Sequence, residues 1–264
     1  MAAQAQQYPV NPGVPGVSPH FWDPTISSYA KISMIYTKGA QYRYEDVVWH
    51  AWGEICDLYF PKVAATPTGP RWSIDREAYR GYPPSNPSQI KPDLLAIQLT
   101  PGQTQPGQAP QFTARDYLWI ECKAASEDKP SGWKNVLAES VTRLSIAHSN
   151  RVVFLIIAVG WKCMYFVWDP NGTVQGQPQL FIRPSNNTQP WSVDARIKAV
   201  SAAPWVNTVT GEISHAHAME LECWATVLVA GQNVLKNGNS LGIIEQFLVG
   251  VQNIALQGQN PALF

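Results

Sequence analysis

The chain has 264 residues, 45% of them hydrophobic and 14% charged, with 19 basic against 19 acidic side chains. That apolar content is enough for a sizeable core and excludes a wholly disordered chain, while zero net charge removes the broad basic surface that usually marks phosphate binding. The longest apolar run, Val152 to Val159, has eight residues, against about 20 for a membrane-spanning helix, so no membrane association is expected.

Residues 1 to about 20 are rich in Gln, Pro and Gly and read as a mobile tail ahead of one α/β domain over 21–264. They lack a cationic start followed by an apolar stretch, so an intracellular setting, cytoplasm or nucleus, is expected rather than secretion. Val47, Val48, Ala51, Ile55 and Leu58 recur at helical spacing and predict a first helix over 44–59, stopped by Pro61. A proline-rich connection follows, holding one short strand at Arg71 to Ile74. Asp93 to Leu99 and Tyr117 to Ala124 read as strands on either side of a Gly/Gln/Pro loop. From Ser131 a helical stripe runs through Trp133, Val136, Leu137, Val141, Leu144 and Ile146. The β-branched run Arg151 to Val159 and the segment Trp161 to Trp168 then predict a hairpin turning at Gly160. Two further helices are expected, about His217 to Leu235 and Leu241 to Leu256. Cys56, Cys122, Cys163 and Cys223 are scattered in apolar surroundings, which predicts reduced, buried thiols.

The chemistry concentrates in Lys91-Pro92-Asp93-Leu94-Leu95-Ala96-Ile97 and Trp119-Ile120-Glu121-Cys122-Lys123-Ala124. Side chains alternate along a strand, so Glu121 and Lys123 share one face and Cys122 takes the other. Charges inside apolar strands are costly unless paired or bound to an ion. A metal ion beside the sheet would supply a reason for them.

Pro92-Asp93 and Glu121-Cys122-Lys123, set in a helix, strand, strand, helix, strand pair order, resemble the PD-(D/E)xK nuclease superfamily over residues 40–168. The resemblance implies a restriction-endonuclease-like core, a central mixed sheet flanked by helices, to which this chain adds a C-terminal helical extension over about 214–257. It implies metal-dependent hydrolysis of phosphodiester bonds in DNA, less readily in RNA, with Mg²⁺ or Mn²⁺ held by Asp93, Glu121 and Cys122. Lys123 would orient the attacking water or stabilise developing charge. Such nucleases often add an acid from the first helix; Glu45 and Glu54, nine residues apart, lie on opposite flanks so that only one can face the site, and the resemblance favours Glu45, near the start of that helix. The Gln- and Pro-rich start fits a eukaryotic source such as fungi, where small nuclease-like members occur.

Arg71, Arg76, Arg80, Lys91 and Arg115 are candidates for the local phosphate patch. His215, His217, Glu220 and Cys223 match no zinc signature. The competing reading keeps the fold without catalysis, as a binding or homo-oligomeric assembly protein. The two expected C-terminal helices would then either cover the sheet or pair across a two-fold axis in a homodimer.

Overall fold

The computed structural model describes residues 12–77, 91–103, 108–109, 111–172, 178–185, 189–200 and 203–257. Helices α1 (Ser27–Lys38) and α2 (Asp46–Tyr59) precede three strands, β1 (Arg71–Arg76), β2 (Leu94–Pro101) and β3 (Phe112–Lys123). Helix α3 (Pro130–Ala147) then leads to β4 (Val153–Val159) and β5 (Lys162–Trp168), joined at Gly160, where a positive φ of 57° suits the tight turn. Short strands follow: β6 (Phe181–Ile182), β7 (Trp191–Ser192), β8 (Ile197–Ala199), β9 (Glu212–Ile213) and β10 (Met219–Glu220). The hairpin β11 (Thr226–Val229) and β12 (Gln232–Leu235) and the helix α4 (Gly238–Leu256) complete the order.

The main sheet runs β1-β2-β3-β4-β5-β10, with β8 also pairing to β5, and is antiparallel except between β3 and β4. A parallel pair needs a crossover, which α3 supplies, and β4 is buried along its whole length because both of its faces are covered. Alternation along β3 sends Leu118, Ile120 and Cys122 to one face and Trp119, Glu121 and Lys123 to the other. Helices α2 and α4 cover the first face, where Phe247 of α4 stacks on Tyr165 with ring centres 4.1 Å apart. Helix α3 covers the second, through Trp133, Val136, Leu137 and Leu144. This is a mixed α/β architecture with a central mixed sheet flanked by helices, as expected.

The β2–β3 register slips by one between Ala96 and Ile97, which leaves Tyr117 as an extra residue on β3. That bulge brings Asp116 onto the same face as Trp119. There Asp116 Oδ2 lies 3.3 Å from His148 Nε2 at the end of α3.

Three expectations change. The segment His217 to Leu235 is not a helix but β10 followed by the β11–β12 hairpin, turning at Ala230 and Gly231 with φ of 49° and 81°. Thr226, Val227, Val229 and Val234 favour an extended chain, and the helical spacing of Leu221, Trp224, Ala225 and Leu228 is coincidental. Helix α1 was not expected, because it buries only Ser28, Ile32 and Ile35. Of the expected tail, residues 12–20 lie along α4: the Val14 N–H donates to Glu245 Oε2 at 2.5 Å and His20 Nδ1 lies 2.9 Å from Glu245 Oε1. A Cβ on Gly242 would fall 2.3 Å from the Pro12 carbonyl oxygen, so glycine permits this close approach. The four cysteines are free and buried. Helix α4 buries Ile244, Phe247, Leu248 and Val251 within the chain's own core.

Glu245 is fully buried and also accepts the Tyr59 hydroxyl proton. Replacing it orphans buried donors from two distant segments. Glu245→Leu should therefore lower unfolding free energy by about 3 kcal/mol in urea titration and open residues 12–20 to protease. Unchanged stability and protection would show that the seat is not held this way.

Candidate active site

The β2–β3 ladder ends at the Leu94–Ile120 pair, so one step further Asp93 faces Glu121 across the two strands. Asp93 Oδ2 accepts the Cys122 N–H at 2.5 Å, a side chain continuing where the backbone ladder stops. In an antiparallel ladder a residue's N–H and C=O turn the same way, so the Cys122 carbonyl is also directed toward Asp93. Its thiol is fully buried on the α2 face, and burial, with Asp93 and Glu121 adding to it, raises the thiol pKa well above normal. Cys122 is no nucleophile.

Glu121 has no exposed surface. Its Oε1 accepts the Trp119 indole N–H at 2.7 Å, and its Oε2 pairs with Arg143 Nη1 on α3. Arg143 Nη2 holds Glu139 Oε1 at 2.5 Å, while Lys123 Nζ lies 3.0 Å from Glu139 Oε2 and 3.5 Å from Glu45 Oε2. Exposure rises outward, from 0% at the Glu121 side chain through 21% at Lys123 to 44% at Glu45, so the network opens to solvent at its Glu45 end. Glu45, immediately before α2, thus reaches this cleft. Glu54 instead accepts the Ser27 hydroxyl proton at 2.6 Å beside α1.

Among the described residues, Glu45, Asp93, Glu121 and Glu139 cluster around two cations, Lys123 and Arg143. Burial raises the Asp93 pKa above the carboxylate range, with Glu45 adding to it against the Cys122 hydrogen bond. Burial also raises Glu121, with Asp93 adding and Arg143 opposing. For Lys123, burial disfavours the ammonium, but Glu139, Glu45 and Asp93 outweigh it and hold the pKa above normal. The lysine is therefore a cation in this state. No protein-family model, curated protein or solved structure matches the chain. Its chemistry rests on its own geometry.

As arranged, the described residues gather no three His, Cys, Asp or Glu side chains that could hold a metal ion, and His215, His217, Glu220 and Cys223 form no such group. The Asp93–Glu121–Cys122 carbonyl set nevertheless fits Mg²⁺ or Mn²⁺ in donor type. Of the arginines and lysines considered for phosphate, Arg76 pairs with Leu94 next to Asp93. Its guanidinium lies 5.1 Å over the Trp49 ring. Arg71 and Arg115 sit opposite Leu99 and Gln98, toward the other end of β2. Lys91 lies two residues before Asp93, and Arg80 falls outside the described residues.

Sequence reasoning missed Glu139 and Arg143. An acid and a base four apart on a helix are the usual mark of a solvated pair. The available signal was that α3 must cover the face of β3 that carries Glu121.

Both carboxylates hold protons more tightly folded than unfolded. Their contribution to stability is complete below the ordinary carboxylate range and is lost as pH rises through the raised folded values. The melting temperature should accordingly fall from pH 4.5 toward pH 8.5, and Asp93→Asn should flatten that slope. A slope unchanged in Asp93→Asn would show that other groups set it.

Proposed function

We propose that the protein is a metal-dependent nuclease of the PD-(D/E)xK type, with a restriction-endonuclease-like core, acting on DNA more readily than RNA. The observation that carries this reading is Asp93 facing Glu121 at the ends of adjacent strands, with Lys123 two residues on and Glu45 arriving from the preceding helix. Phosphodiester hydrolysis asks for negative charge to be met at the scissile phosphate, for an oriented water and for a stabilised leaving oxygen.

A bound Mg²⁺ or Mn²⁺ would supply charge neutralisation and water activation, held by Asp93, Glu121 and the Cys122 carbonyl. Lys123, charged and tethered between Glu139 and Glu45, places a proton donor at the solvent side of the cleft, where it orients the water and offsets charge on the phosphate. Trp119 fixes the Glu121 carboxylate plane. Arg76 sits over Trp49 on the α2 face of the sheet, at the strand end that carries Asp93, and His50 on α2 has its pKa lowered by burial, then by Arg76 and Lys31.

The second reading, a nuclease-like fold that binds without cutting, is favoured by one observation: both oxygens of Glu121 are already engaged by Trp119 and Arg143. Plasmid incubation with the purified chain separates the two. Nicking in Mg²⁺ or Mn²⁺, stopped by EDTA and reduced by two or more orders of magnitude in Asp93→Asn, Glu121→Gln and Lys123→Ala, is the expected result, roughly the scale of losing a group used in the transition state. Full activity in Lys123→Ala would assign the cleavage to a contaminant, and DNA retention without cleavage would favour the second reading.

A further inference from the structure

Arg143 occupies an unusual seat. Its Nη1 pairs with the fully buried Glu121 and its Nη2 with Glu139, yet its Nε is buried with no hydrogen-bond partner among the described residues. A buried donor left unpaired is costly, so the guanidinium is held by its two carboxylates and is otherwise unsatisfied. Glu121 is the more buried of these partners, at 0% against 36% for Glu139, and Trp119 holds its other oxygen independently of Arg143. The Arg143 side chain is 14% exposed and Glu139 is on its own helix, so it can leave Glu121 while keeping Glu139.

We infer that Arg143 is a displaceable counter-ion that occupies Glu121 Oε2 until a divalent cation replaces it, and so sets the metal affinity of the site. The inference rests on the metal-dependent reading above and deepens it. Arg143 occupies a Glu121 oxygen that a metal ion would need, so the two compete for it. Once displaced, the guanidinium remains tethered at Glu139 beside Lys123. It is a positioning residue in the resting state.

The test is a Mn²⁺ titration of the full chain at pH 8, followed by the paramagnetic resonance of free Mn²⁺, on the wild type, Arg143→Gln and Asp93→Asn. Arg143→Gln should bind Mn²⁺ roughly tenfold more tightly than the wild type, and Asp93→Asn should lose binding. Equal or weaker binding in Arg143→Gln, with Asp93→Asn still inactive in binding, overturns the counter-ion role and leaves the metal-dependent reading standing. Binding by Arg143→Gln alone supports the role, because the arginine is then what excludes the cation. Absence of binding in both overturns the metal-dependent reading and this inference together. Should Arg143→Gln fail to fold, a crystal structure of the wild type with Mn²⁺ decides: the guanidinium off Glu121 Oε2 supports displacement, and the guanidinium still on it overturns it.

Discussion

The hydrogen bond from the Cys122 N–H to Asp93 Oδ2 closes the β2–β3 ladder with a side chain, and the site depends on that closure. A backbone carbonyl there would extend the sheet by one more ordinary pair. A carboxylate instead ends it and brings a charge to the strand end directly opposite Glu121. Everything downstream on β3 inherits its placement from this register: Glu121 toward α3, Cys122 into the core, Lys123 toward the cleft.

Electrostatics then organises the neighbourhood. Two carboxylates facing each other at the edge of a core are tolerable only with cations close by, since desolvation disfavours both charges and each disfavours the other. Arg143 and Lys123 meet part of that demand, and the shared acid Glu139 links them into one chain of contacts from buried to exposed. Burial, with the neighbouring acids adding to it, raises the pKa of both carboxylates.

The strands carrying Asp93 and Glu121 were legible because period-two alternation assigns faces without knowledge of the rest of the fold. Glu45 was legible as a choice between two helix flanks. Arg143 and Glu139 were not, since their significance comes from which strand face α3 covers, a tertiary fact. The β11–β12 hairpin was misread as helix because its apolar residues happen to suit both periods, and only the β-branched content and Gly231 argued for strands. Glu245 gives no local hint of its role, because its donors come from residues 14, 20 and 59.

That last arrangement has a bearing on how the chain assembles. The Tyr59 hydroxyl and its acceptor Glu245 are 186 residues apart, and α4 covers the same sheet face as α2. During synthesis the sheet from β1 to β5 is complete well before Glu245 exists, so the part of its α2 side that α4 later covers stays open, with Tyr59 and apolar strand residues unmatched. Contacts of such long separation slow folding. The nascent sheet is thus the most aggregation-prone stage of this protein's life, and α4 is the segment that ends it.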